Sequence, residues 1–236
     1  PNCPRPCENI CPTFAIDNYG VTESKCYGCG RCIKSCPLNL ISEYEFNLTK
    51  DNLPSSLQTI KPDAVEIHTE INRIDPFIEV VRILKNADTK LKTISISCGL
   101  NQSPQSPNDL LKAIWERYEI LSELNLPIIW QLDGRPMSGD LAPTTGRDTV
   151  KLFETIGSHL PPGLIQLAGG TNGKTHELLN VNNFPDGIAF GSYARKIMQP
   201  FIEFANKNNK KLYEYPERMA LAIKEAQKLL KPWKKN

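Results

Sequence analysis

Beyond residue 60 the chain alternates short runs rich in β-branched residues with longer stretches of helical period, the pattern of a parallel sheet with crossover helices. The pattern predicts strands at Ala64–Thr69, Thr93–Cys98, Pro127–Leu132, Leu164–Ala168 and Gly187–Phe190. Helices are predicted near 75–87, 108–124, 147–158, 173–180 and 192–206, with a last one near 215–230. In the first three strands Val65, Ile67, Ile94, Ile96, Trp130 and Leu132 take one face, and Glu66, His68, Ser95, Ser97, Gln131 and Asp133 take the other. In a closed barrel the apolar set would meet the helices and the polar set would line the interior. That polar lining is either a ligand pocket or a set of side chains that satisfy one another. The expected fold is therefore α/β, a (β/α) barrel-like parallel sheet that is incomplete at its N-terminal side, because a full barrel needs further strands before residue 60.

Composition narrows the class. The 236 residues are 40% hydrophobic and 23% charged, which excludes collagen-like, mucin-like and wholly disordered chains. A formal net charge of +2, from 28 Lys+Arg against 26 Asp+Glu, predicts no nucleic-acid footprint and favours small-molecule or protein partners. No apolar run approaches the ~20 residues that span a bilayer, so no membrane span is expected. The chain opens at Pro1 with neither Met nor a basic-then-apolar leader, which reads as a fragment or a processed product without a signal peptide.

The cysteines change the picture. Seven of the eight fall between residues 3 and 36, and clustering of this kind indicates a metal site. Cys26-Tyr27-Gly28-Cys29-Gly30-Arg31-Cys32-Ile33-Lys34-Ser35-Cys36-Pro37 is C-x2-C-x2-C-x3-C-P, the bacterial ferredoxin run that holds a [4Fe–4S] cube. Gly28 and Gly30 permit close backbone approach. Upstream, Cys7-x3-Cys11-Pro12 matches the end of such a run, and Cys3 sits one residue further away than the standard spacing. The fourth Cys of each run ligates the other cluster in two-cluster ferredoxins. Cross-ligation gives one cluster Cys26, Cys29, Cys32 and Cys11, and the other Cys3, Cys7 and Cys36 with one ligand unassigned.

A Cys upstream of Pro1, a three-iron species, or a non-Cys ligand or Cys98 would each complete the account, and the upstream Cys is favoured. A zinc knuckle is the competing reading, because Cys-x2-Cys pairs also bind zinc. The stretch from Thr13 to Thr22 predicts a small hairpin over the clusters, with Leu38–Phe46 as the matching exit. Lys25, Arg31 and Lys34 either temper the clusters' negative charge or are simply solvated. The division expected is a ferredoxin-like 2[4Fe–4S] segment over 1–48 and a barrel-like domain with C-terminal helices over 49–236.

Two strand ends are rich in glycine and run into helices: Gly169-Gly170-Thr171-Asn172-Gly173-Lys174 and Gly191-Ser192-Tyr193-Ala194-Arg195. In (β/α)8 barrels the last two such loops commonly hold phosphate, so Gly169, Gly170, Gly191 and Ser192 are candidate cofactor-binding residues, with FMN the cofactor they would suit. Asp133-Gly134-Arg135-Pro136-Met137-Ser138-Gly139-Asp140 offers two carboxylates and a guanidinium after another strand, or merely a turn and an ion pair.

Taken together, the Cys3-Pro4-Arg5-Pro6-Cys7-Glu8-x2-Cys11-Pro12 motif, the four-Cys run, Glu66-Ile67-His68-Thr69-Glu70, the Asp133–Asp140 segment and Leu167-Ala168-Gly169-Gly170-Thr171-Asn172-Gly173-Lys174-Thr175 resemble the LdpA family. These are cyanobacterial iron–sulfur proteins tied to redox input to the circadian clock, and the resemblance covers nearly the whole chain. It implies a further N-terminal segment with another Cys and earlier strands. It also implies a cytoplasmic redox sensor whose partners are circadian clock or photosynthetic electron-transfer proteins. The alternative is a flavin-dependent oxidoreductase in which the clusters feed a barrel-bound FMN. For that alternative no acid stands out: Cys98 is the best candidate, and a lone Cys is more often inert packing. A plainer reading makes the barrel only a rigid carrier of the iron–sulfur segment.

Overall fold

A computed structural model describes residues 3–11, 13–26, 28–44, 49–87, 89–99, 106–134, 146–180, 182–208 and 210–234. The cysteine segment begins with a five-residue helix, α1 (Pro6–Ile10), which Pro6 starts at a position where its missing N–H costs nothing. The expected hairpin follows as antiparallel β1 (Ile16–Asp17) and β2 (Gly20–Val21), with Ile16 opposite Val21. A second five-residue helix, α2 (Arg31–Ser35), packs against α1. The expected exit, Leu38–Phe46, is irregular through Tyr44, and its last two residues lie outside the described set.

The larger unit spans 49–134 and 146–190. It opens with α3 (Leu53–Ile60), a helix that buries only Leu57 and so has little hydrophobic period to betray it. Then β3 (Ala64–His68), α4 (Ile74–Asn86), β4 (Thr93–Gly99), α5 (Pro107–Ser122), β5 (Ile128–Asp133), α6 (Gly146–Ile156), β6 (Leu164–Ala168) and β7 (Gly187–Ile188) alternate. The five strands lie parallel in chain order β3-β4-β5-β6-β7. Because α4 packs on α5 and α5 on α6, these successive crossovers share one face of the sheet, as right-handed connections of adjacent strands require.

The register confirms the division of faces. Ile67, Ile96, Trp130 and Ile165 form one row, and the next row is His68, Ser97, Gln131 and Gln166. Ile67, Ile96 and Trp130 of the apolar row and their neighbours Ile94, Leu132 and Leu167 are buried together with Phe77 and Val81 of α4, Leu110 and Ile114 of α5, and Phe153 and Ile156 of α6. Each such side chain contributes about 1.5–3 kcal/mol by leaving water. Trp130 also finds a partner for its indole N–H, the carbonyl of Pro161 at 3.1 Å. At the start of α5, Ser106 and Asp109 exchange hydrogen bonds in a capping box, and those bonds from Ser106 hold the Asp109 carboxyl below its ordinary range.

Buried Arg117 of α5 donates to Thr69 Oγ1 at 3.0 Å, to the Glu70 carbonyl at 2.6 Å and to the Ala113 carbonyl at 2.9 Å, and lies 5.3 Å from the Phe77 ring centroid. It thereby ties α5 to the turn that leaves β3.

One predicted element does not form. Over 173–180 there is a single 3-10 turn, Thr175–Leu178, rather than a helix. Asn172 N–H donates to Thr175 Oγ1 and Lys174 N–H to Asn172 Oδ1, both at 2.9 Å, and such local side-chain bonds compete with a helical ladder. Strand β7 is also shorter than predicted, although Ala189 N–H still donates to the Leu167 carbonyl at 2.8 Å.

The C-terminal helices α7 (Ser192–Lys207) and α8 (Pro216–Leu230) pack on each other. Arg218 stacks 4.4 Å from the Phe204 ring centroid, and Phe204 meets Tyr215 edge-on. Residues 191–234 fall in the compact unit that holds 3–44. No described helix is long and apolar enough to cross a membrane.

Candidate metal centre

The two cysteine turns are built alike, 25 residues apart in sequence from Cys7 to Cys32 and from Cys11 to Cys36. Each enters through a residue in the left-handed region, Arg5 (φ 52°) or Gly30 (φ 69°). Each then makes a five-residue helix and ends on a Cys with extended backbone. Three residues further the chain is left-handed again, at Phe14 and at Asn39, both with φ 51°. This is an uncommon conformation for a bulky side chain such as Phe14. The result aims an amide at each sulfur: Ala15 N–H reaches Cys11 Sγ at 3.2 Å and Leu40 N–H reaches Cys36 Sγ at 3.3 Å. Gly28, left-handed at φ 73°, gives its N–H to Cys26 Sγ at 3.4 Å.

Four thiols, those of Cys11, Cys26, Cys29 and Cys32, line one cavity of about 340 Å³ counted to its open mouth. These are the four assigned to one cluster from spacing alone. Ala15, Ile16 and Val21 supply apolar wall, and Arg31 stands at the same cavity. Lys25 and Lys34 are exposed. Burial raises the Cys32 thiol, whereas the N–H groups of Leu40 and then Leu38 hold Cys36 below its ordinary value. Cys7 and Cys36 are buried, and Cys3 is partly exposed.

Soft thiols with sulfur-directed amides and apolar walls suit an iron–sulfur cluster, whose potential responds to hydrogen bonds on sulfur and to exposure. Among the described residues no three His, Cys, Asp or Glu side chains are drawn together tightly enough to hold a single metal ion.

Cys98 does not share these features. It is buried on the helix-facing side of β4, and burial, with Asp133 adding to it, pushes its thiol up to about 12. A thiol held protonated in this way is poorly suited to be a thiolate ligand or an acid in catalysis.

The polar face of the sheet pairs largely with itself. Gln131 donates to Glu66 Oε1 at 3.1 Å, His68 Nε2 lies 2.8 Å from the same oxygen, and Ser97 donates to Asp133 Oδ2. Burial raises the Asp133 carboxyl against the opposing pull of the Ser97 hydrogen bond. Ser95 Oγ is buried with no hydrogen-bond partner among the described residues.

Gly169 and Gly170 are left-handed, at φ 68° and 87°, but the amides just beyond them serve the loop itself: those of Asn172, Lys174 and Thr175 all bond within 172–175. Gly191 and Ser192 begin α7 in the other compact unit. The Arg135–Asp140 stretch lies outside the described residues. What sequence reasoning missed was the paired left-handed residues around each cysteine turn; the signal available for them was the Cys-x3-Cys-Pro pattern repeating at a fixed offset.

The thiol-lined cavity, together with the match of residues 1–47 to the family model described as "LdpA Fe-S cluster-binding domain", makes this an iron–sulfur protein. Residues 56–232 match the Light dependent period A C-terminal domain, and the chain belongs to the Light dependent period A family. It is 35% identical over 233 residues to "Light dependent period A" of Synechococcus elongatus, an alignment that covers 95% of this chain and 64% of that relative. The chain thus spans somewhat under two thirds of the curated relative it matches. No solved structure matches the chain.

Proposed function

We propose that the chain carries two [4Fe–4S] clusters and reports cellular redox state to the circadian clock as part of its light input. The ring of Cys11, Cys26, Cys29 and Cys32 around one cavity is the observation that carries this reading. Those four residues hold one cluster. Cys3, Cys7 and Cys36 hold the other with one further ligand. When bound, such clusters accept and release single electrons. The chain's own part is to supply thiolates, to aim the Ala15, Gly28 and Leu40 amides at sulfur, and to set the apolar side chains of Ala15, Ile16 and Val21 against the cluster. The sheet, with strands in chain order and its crossovers on one face, is an arc of a (β/α) barrel that serves as scaffold. Its partners are clock or photosynthetic electron-transfer proteins in the cytoplasm, and signalling needs no turnover.

The test is anaerobic purification with iron, sulfide and released flavin counted per chain. About eight irons and no flavin agree with the reading, and about four place only one cluster on this chain. Zinc in place of iron overturns it, and stoichiometric flavin redirects it to an oxidoreductase.

A further inference from the structure

The two sets of thiols differ in their access to water, although Cys3 of the second set is partly exposed. Cys26 is exposed, and Cys11, Cys29 and Cys32 are partly so, around a cavity that Val21, itself 44% exposed, also lines. Cys7 and Cys36 are only 9% and 8% exposed, and the Cys36 sulfur is further engaged by the Leu40 amide. The helices that bear or precede these two residues, α1 and α2, pack together. A soluble oxidant or one-electron carrier can reach the first set at Cys26, whereas Cys7 and Cys36 of the second are covered by protein.

We propose that the Cys26 edge of the cavity is where electrons are exchanged with soluble carriers and oxidants, and that the Cys7/Cys36 set is shielded and responds after it. This rests on the cluster reading above, and it assigns to the two sets different places in the response. The partner that fits is a soluble one-electron carrier able to bring its redox group to an open, largely apolar mouth. A small inorganic oxidant is the simplest stand-in. Ferricyanide takes one electron and becomes ferrocyanide; the cluster core goes from 2+ to 3+. An iron then leaves as Fe2+, the remaining core carries a single positive charge, and the thiolate that held that iron is freed.

The experiment treats anaerobically prepared holoprotein with limiting ferricyanide, quenches samples with iodoacetamide, counts released iron, and maps alkylated cysteines by peptide mass spectrometry. Cys26 should label first with the first iron released, and Cys7 and Cys36 several-fold more slowly. Val21→Trp, which adds bulk to the cavity wall without replacing a thiol, should slow the first phase several-fold and leave the second unchanged. Labelling of Cys7 or Cys36 before or together with Cys26 overturns the proposal, as does a first phase indifferent to V21W. A preparation that holds no iron before oxidant is added is a different failure: it removes the cluster reading and the proposal with it.

Discussion

Cys11 and Cys36 are structural equivalents: each ends a five-residue helix, turns through a left-handed residue three positions on, and accepts an amide hydrogen from the residue after that, Ala15 at 3.2 Å and Leu40 at 3.3 Å. The repeat makes each turn a device for placing one thiolate and one donor together. Replacing the donor should therefore act on one potential at a time. A hydrogen bond to sulfur favours the more negative, reduced cluster. Leu40→Pro, which removes one N–H, should make the potential of the Cys36-bound cluster more negative by roughly 20–65 mV, the one-electron equivalent of about 0.5–1.5 kcal/mol. Potentiometric titration followed by electron paramagnetic resonance reads this; a shift in both clusters alike would show that the amide does not act locally.

Cross-ligation makes a second prediction. Cys29 lines the cavity with Cys11, Cys26 and Cys32, and neither Cys7 nor Cys36 does. Cys29→Ser should abolish one cluster's low-temperature signal, lower iron by up to about four per chain, and leave the other signal in place. Two normal signals would sink the ligand assignment.

Much of this was legible in the sequence, for physical reasons that particular residues show. The alternation of Val65, Ile67, Ile94, Ile96, Trp130 and Leu132 with polar neighbours fixes the faces of a sheet whatever its surroundings, and the register bears it out. Cysteine spacing gave the four thiols of one cavity because ligand geometry leaves few alternatives. The helix expected at 173–180 failed because Asn172 and Thr175 close on each other, a side-chain contact that hydrophobic period cannot register. In the loop after Gly169 and Gly170, composition cannot register that the Lys174 amide is taken by Asn172 Oδ1. Nothing in the residue type of Phe14 asks for its left-handed conformation, and only the Cys-x3-Cys-Pro repeat, which sets Phe14 against Asn39, points to it.

Asp133 provides a pH prediction. Burial raises its carboxyl in the folded chain above the unfolded value, so the folded state binds the proton more tightly. Stability contributed by this group is then fully present below the unfolded value near ~3.9 and falls as pH rises from there through the folded value. Asp133→Asn removes the charge and can keep a partner for the Ser97 hydroxyl, so it should raise stability at neutral pH by about 1 kcal/mol and flatten the decline. Urea unfolding of both proteins between pH 4 and 8 checks this; equal slopes against pH would exclude Asp133 as the source.

Arg117 carries the last prediction. Its guanidinium is buried and donates, among the described residues, to neutral acceptors, the Thr69 hydroxyl and the carbonyls of Ala113, Glu70 and Ile71, and burial lowers its pKa. A charge so placed costs desolvation, but several hydrogen bonds offset it and fix the turn between β3 and α4. Arg117→Met keeps most of the volume against Phe77 while leaving three carbonyls and a hydroxyl without this donor. It should destabilise the sheet unit by about 2–4 kcal/mol. Because the iron–sulfur segment has its own turns and amide donors, iron content should stay unchanged at temperatures where the variant is folded. Thermal unfolding and iron analysis of the same samples separate the two effects, and loss of iron from folded R117M would mean that the clusters depend on the β3–α4 turn.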